Sequence, residues 1–202
     1  MKLRTLEREL ERLCTVAGPE VRLEQYHTPP SVAARLLFHA ALRGDITDEK
    51  VCDLGCGAGI LACGAALLGA AQVRGIDIDP RSIDVARANA KTAGVEVEFL
   101  VAGIADETAF EGYTCDTVVM NPPFGAQRRH ADRPFIDRAL GIGGVVYGIF
   151  NSGSLPFVRA YIGDRGFIEE AVSGRFPLPR MFAFHTRDRV EIEVEILCIR
   201  KR

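Results

Sequence analysis

Leucines at positions 3, 6, 10 and 13 recur at helical spacing with charged residues between them and predict an amphipathic N-terminal helix. In the stretch LEQYHTPPSVAARLL that follows, Thr28 or Ser31 can cap a second helix ending near Gly44. An early proline suits its first turn, where no backbone donor is needed. From there apolar runs alternate with helical patterns. Lys50 to Leu54 predicts a strand, Ile60 to Leu68 a buried helix, and Gln72 to Ile78 a second strand. Asp79-Pro80 supplies an N-cap and an N1 proline for a helix reaching about Ala93. Val95 to Val101 predicts the third strand, followed by an irregular segment to Thr114. Cys115 to Met120 and Val145 to Phe150 predict the fourth and fifth strands. A helix near Leu155 to Ile162 precedes a strand over Phe167 to Val172. In the last strand Val190, Ile192, Val194 and Ile196 alternate with Glu191, Glu193 and Glu195, predicting one buried and one wet face. Strands alternating with helices imply a parallel, doubly wound α/β sheet. Such sheets bind ligands beyond the carboxyl ends of their strands.

At 202 residues the chain is long enough for one well-buried domain and short for two. No repeat or linker divides it, so residues 1–202 read as a single domain, with 1–44 a helical extension on a 45–202 core. The N-terminus MKLRTLERELERL is too charged for a secretory signal, and the apolar stretch from Ile60 to Ala71 falls short of the about 20 residues that span a bilayer. A cytoplasmic protein is expected. The six cysteines form no CxxC pair and the four histidines are scattered, which argues against a metal site and for buried free thiols. A net charge of −2 does not announce a nucleic-acid binder, but Arg128, Arg129, Arg133 and Arg138 stand against Asp132 and Asp137 in one short stretch.

Three polar motifs sit at predicted strand ends. VCDLGCGAG places Gly55, Gly57 and Gly59 between a strand and a helix, where a ligand can approach the backbone closely. In GIDID, Asp77 ends the next strand, at the spacing from the glycines at which a carboxylate meets ribose hydroxyls in dinucleotide folds. Together they imply an adenosine-type ligand. The GxGxG spacing and the acid Asp53 in the turn disfavour a pyrophosphate, whereas an acid can face the ammonium and sulfonium of S-adenosylmethionine, which is preferred over NAD. The third motif is Asn121-Pro122-Pro123-Phe124. Its prolines end a strand and stiffen a loop, which does not explain the flanking Asn and Phe. Asn-Pro-Pro-Phe resembles the motif of the Asn-Pro-Pro-Phe/Tyr amino-methyltransferases, and that resemblance implies an amine conjugated to adenine as the acceptor. Its lone pair is spread into the ring, and the Asn121 carboxamide oxygen and the Pro122 carbonyl can each accept an N–H, localising that pair. Phe124 offers a stacking face worth about 1–3 kcal/mol.

These motifs, with LEQYHTPP, DLGCGAGIL, MNPPFG and the closing FAFH…VEIEVEI, resemble the small archaeal–eukaryotic NPPF-type S-adenosylmethionine-dependent RNA N6-adenine methyltransferases, over nearly the whole chain. The resemblance implies the class I fold, a mostly parallel seven-stranded sheet with its last strand antiparallel, and methylation of an adenine N6 in small-subunit ribosomal RNA. It implies that Gln25, Tyr26 and Thr28 close over the methionine end of the donor, and that Asp53, Gly55, Cys56, Gly57, Asp77, Ile78 and Asn121 hold the rest. A small zinc-binding activator subunit pairing edge-on with the sheet is a further implied partner. The chain departs from the family at Gly103, which aligns where an acid usually holds the donor adenine's amino group. Asp106, or the backbone around Ile104, is left to take that place. Arg128 and Arg129 in AQRRHADR face RNA phosphates on this reading, and FPLPRMFAFHTRDR forms the opposite wall. No general base such as His185 is needed. The alternatives are a protein glutamine methyltransferase, whose planar amide poses the same lone-pair problem, a silent donor-binding subunit, and an NAD oxidoreductase.

Overall fold

A computed structural model describes residues 1–16, 27–123, 130–179 and 189–202, with backbone alone at 175–179 and 189–192. Seven strands form one sheet: β1 (Lys50–Leu54), β2 (Gln72–Asp77), β3 (Glu98–Val101), β4 (Cys115–Met120), β5 (Gly143–Asn151), β6 (Gly166–Pro179) and β7 (Arg189–Lys201). Their order is β3-β2-β1-β4-β5-β7-β6. Strands β1 to β5 run parallel, and β7 lies antiparallel between β5 and β6. The expected doubly wound sheet with an antiparallel last strand is what forms. Strand order reverses between β1 and β4, where Leu54 pairs with Met120, and this opens a crevice beyond their carboxyl ends.

Alternation along the inner strands divides the core. Val51 and Val119 face α1 (Leu3–Glu11), α2 (Pro30–Leu42), α3 (Ile60–Leu67) and α4 (Pro80–Ala93). Cys52, Leu54, Val118 and Met120 face α5 (Arg133–Ile142) and α6 (Leu155–Ile162). On α1 the buried positions are Leu6 and Leu10. The α2 side is tied to the far strands through Asp45, which accepts from Arg200 at 2.9 and 3.0 Å and from the Tyr147 hydroxyl at 2.6 Å. Cys52, Cys56, Cys63, Cys115 and Cys198 are buried free thiols, while Cys14 is exposed. Among the described residues no helix is long and apolar enough to cross a membrane.

Four local expectations change. Neither Thr28 nor Ser31 caps α2: Pro29 takes the N-cap position without a side-chain bond, and Pro30 opens the helix. The third strand begins at Glu98 rather than Val95, because the turn after α4 runs further, with Val95 N bonded to Ala90 O. Helix α5 was not anticipated. The fourth concerns β7, where Glu195 is buried rather than wet. It accepts from Gly153 N and Leu155 N, both at 2.9 Å, satisfying donors at the start of α6. The strand is covered on both faces here, so Val194 to Ile199 are all buried.

Candidate active site

Beyond β1 the chain turns back through Gly55, Cys56 and Gly57 into α3. Gly55 N and Cys56 N both donate to Ile76 O, at 2.8 and 3.0 Å, locking the turn against β2. Gly55 has φ +70°, and a Cβ there would lie 2.9 Å from the Phe135 ring on α5. Gly57 has φ +52°, and a Cβ there would meet no atom within 4 Å. The first glycine is required by packing. The second leaves an open face against which a ligand can lie.

Asp77, at the end of β2, accepts from Gly57 N at 2.8 Å through one oxygen and from Asp79 N at 2.9 Å through the other. Burial raises its pKa above the usual carboxylate range, opposed by these backbone donors. Each oxygen keeps acceptor capacity for a further donor. Asp53 lies deeper than an acid facing a ligand directly. It is 1% exposed, and its Oδ2 accepts from Ala62 N in the first turn of α3 at 2.9 Å. Its Oδ1 is buried without a partner. Burial pushes the carboxyl up to about 8; the Ala62 bond opposes this and the Asp77 charge adds to it.

The NPP segment leaves β4 at the crevice. Asn121 Nδ2 donates to Thr28 Oγ1 at 2.9 Å, while its Oδ1 is buried with no partner. Pro122 is buried and Pro123 half-buried. Asn121 and Thr28 share a cavity of about 550 Å³ with Gly57 of the turn and Leu10 and Glu11 of α1, a size suited to a small-molecule ligand. Its back wall is secured by Asn89 of α4, 1% exposed, which accepts from Cys14 N and donates to Cys14 O and Ala58 O at 2.8–2.9 Å. A sequence signal existed for Asn89: it follows Ile83 and Ala86 at three-residue steps on the buried face of α4. No local signal joined Thr28 to Asn121.

Ile78 is 58% exposed and lies over Gly103, with Cδ1 3.5 Å from where a Cβ at that glycine would be. Asp106 is exposed and accepts from Thr108 N and Oγ1 at 3.1 and 2.7 Å; the hydroxyl bond holds its carboxyl below the usual range. The Ile104 carbonyl accepts from Arg138 Nε at 3.2 Å. Gln25, Tyr26, Phe124, Arg128, Arg129 and His185 lie outside the described residues.

The site therefore brings together an open glycine turn, the Asp77 carboxylate and a buried acceptor oxygen without a partner, Asn121 Oδ1, with Asp53 Oδ1, also without a partner, buried beneath the turn. Buried acceptors of this kind suit a ligand that brings N–H donors or positive charge.

The family model for ribosomal protein L11 methyltransferase (PrmA) matches residues 36–122. The chain is similar to the zebrafish (Danio rerio) rRNA N(6)-adenosine-methyltransferase METTL5, with 30% identity over 98% of this chain and 98% of the relative. The Drosophila melanogaster counterpart is 31% identical over 96% of this chain and 94% of its own length. A crystal structure from Pyrococcus horikoshii, described as a candidate RNA methyltransferase, superposes with a TM-score of 0.87 at 34% identity, covering 100% of this chain and 98% of that one. With similarity of this extent running end to end, the chain belongs to the METTL5 family of rRNA N(6)-adenosine-methyltransferases.

Proposed function

We propose that the chain is an S-adenosylmethionine-dependent methyltransferase acting on the N6 amine of an adenine in small-subunit ribosomal RNA, as a single catalytic domain in a cytoplasmic setting. The carrying observation is the Asn121 carboxamide on the cavity wall: its Nδ2 is taken by Thr28, and its buried Oδ1 is left without a partner. When bound, S-adenosylmethionine supplies a methyl group on a sulfonium, an electrophile that needs no acid. On this reading the open face of Gly57, with Gly55 and Cys56, lets the donor approach the backbone. The Asp77 oxygens accept from its ribose hydroxyls, and Ile78 presents an apolar face to its adenine. The ionised form of Asp53 complements the donor's positive charge. Thr28, with Gln25 and Tyr26, closes the methionine end. Asp106, already engaged by Thr108, is a further candidate toward the donor adenine.

On the acceptor side, Asn121 Oδ1 and the Pro122 carbonyl accept the two N–H groups of the target amine. Holding both protons turns the nitrogen out of conjugation with the ring, so its lone pair points at the methyl group. Pro122 and Pro123 keep that geometry without reorganisation during the reaction, and Phe124 stacks on the base. Methyl transfer releases S-adenosylhomocysteine and leaves a cationic nitrogen holding two protons, one of which is now acidic and passes to water without a dedicated base. Arg128 and Arg129 are assigned to the flanking phosphates. A small zinc-binding activator subunit would add a strand at an outer edge of the sheet, β3 or β6, the latter with Phe167 and Val172 partly exposed.

The family-model match to ribosomal protein L11 methyltransferase favours a second reading, a protein amide or amine acceptor. That match spans the donor turn, Asp77, Asn121 and Pro122 and ends before Phe124, so it does not reach the residues assigned to base stacking and RNA phosphates. Labelled S-adenosylmethionine incubated with unmodified small ribosomal subunits separates the two. Label recovered as N6-methyladenosine after nucleoside digestion supports the RNA reading, and label confined to the protein fraction overturns it.

A further inference from the structure

His130, just before α5, and two residues of α6 form a column of rings that methyl transfer does not use. His130, Phe157 and Tyr161 stack in that order, with centroids 6.4 and 5.6 Å apart and both pairs inclined by 25°. The Arg133 guanidinium lies 5.3 Å from the Phe157 ring centre and 5.2 Å from that of Tyr161, and its Nε is buried without a hydrogen-bond partner. Phe157 and Tyr161 are one helical turn apart on α6, so their contact follows from helix geometry. His130 owes its place to nothing so simple. It holds a left-handed backbone, φ +65°, which few non-glycine residues adopt. A packing cluster would end on a buried ring, but this one ends on His130, which is exposed.

Helix α5 has two neighbours: Phe135 packs on Gly55 of the donor turn, while Arg133, two residues earlier and on another face of the helix, reaches the rings on α6. His130 lies between that helix and the NPP segment, a few residues after Pro123 in the chain. The nearby acid Asp137 is already engaged by Arg165 at 2.6 Å and by the Tyr161 hydroxyl at 2.7 Å, so the Arg133 charge at the column is not cancelled by it. A positive charge beside an open aromatic face, a few residues along the chain from the NPP segment, matches one kind of occupant: an unpaired nucleotide. Its base stacks with little regard to identity and its phosphate is drawn to the guanidinium. An adenine turned out of its strand toward Asn121 leaves its neighbours unstacked, and one of them needs such a surface.

We propose that the exposed face of His130 receives the base of a nucleotide flanking the target adenine, with Phe157, Tyr161 and Arg133 holding the imidazole in place. This rests on the RNA reading above. The test is steady-state methyl transfer into a ribosomal RNA fragment carrying the unmodified target adenine, comparing wild type, His130→Ala and His130→Tyr. A second pair of fragments carries an abasic nucleotide on one or the other side of the target. His130→Ala should raise KM for RNA by roughly fivefold to a hundredfold, the loss expected for one stacked base, with the effect confined to KM. His130→Tyr should restore it. One abasic flank should cost wild type a similar factor and cost His130→Ala nothing more. An unmoved KM in His130→Ala, or the same abasic penalty in both proteins, overturns the column's role. A wild type that methylates no RNA sinks the RNA reading and takes the column with it, so the two failures are distinguishable.

Discussion

Replacing Thr28 by valine keeps the volume and branching of the side chain but removes the hydroxyl that accepts from Asn121 Nδ2 at 2.9 Å. Thr28 is 9% exposed, so water does not readily replace that acceptor. A hydrogen bond of this kind contributes about 0.5–1.5 kcal/mol net, and a buried donor left without a partner costs about 1–3 kcal/mol. The two ends of a carboxamide have nearly the same shape. Without Thr28 the group can turn over, relieving Nδ2 and presenting an N–H where an acceptor is needed. An orientational loss of about 1–3 kcal/mol corresponds to a fall in kcat of roughly fivefold to a hundredfold. Single-turnover methyl transfer at saturating donor and RNA measures this, with calorimetry giving the donor Kd in parallel. Thr28→Ser, which keeps the hydroxyl, should stay near wild type. If Thr28→Val keeps its kcat and only weakens donor binding, the residue serves the methionine end of the donor and the orientation argument is wrong.

Asp77→Ala should weaken donor binding by roughly tenfold to a hundredfold, the loss of charge-assisted bonds to hydroxyls; unchanged affinity by calorimetry would place the ribose elsewhere. Asp53 makes stability and donor binding respond to pH in opposite senses. Its folded pKa is raised from 3.8 to about 8. Its stabilising contribution is thus complete below about pH 4 and is lost as pH rises through about 8. Denaturant unfolding of the donor-free protein should show stability falling across that window, with Asp53→Asn flattening the fall. A cationic donor favours the ionised carboxyl, so donor affinity should tighten over the same range, and a flat profile would contradict the pairing. Glu195→Ala should cost at least about 1.5–3 kcal/mol of unfolding free energy, because two amides at the start of α6, those of Gly153 and Leu155, lose a charged acceptor. An unchanged denaturation midpoint would mean that the surrounding strand, not Glu195, holds α6.

The parts of the fold legible in the sequence were those with a local cause. Short apolar runs, the Asp79-Pro80 helix start and the two prolines after Asn121 each reflect a constraint on one stretch of backbone, and β1, β2, α4 and β4 follow from them. Helix α5 is masked in the sequence by the charges of Arg133, Asp137 and Arg138, which give the segment the composition of a loop, although Ile136, Ala139 and Leu140 mark one buried helical face. Glu195 misled for a different reason. Alternation in β7 is a good guide where one face meets water, but this strand lies between β5 and β6 with both faces covered, and its acid serves α6 instead. In the site, the turn glycines, Asp77 and the NPP segment were visible as motifs. What the motifs could not show is the division of labour between them: that Asp53 lies beneath the turn bonded to α3, and that Thr28 reaches across 93 positions to Asn121. Contacts between residues that distant leave no periodic or spacing signal, so they emerge only once the sheet has brought its strand ends together.

The central claim is that the free carboxamide oxygen of Asn121 makes the amine nucleophilic and does little for the donor. Its most direct test is Asn121→Ala, with N6-methyladenosine formation in ribosomal RNA and donor Kd measured on the same preparation. The account predicts turnover reduced below detection with donor affinity nearly that of wild type. Turnover surviving the substitution, or turnover and donor affinity lost in equal proportion, would contradict it.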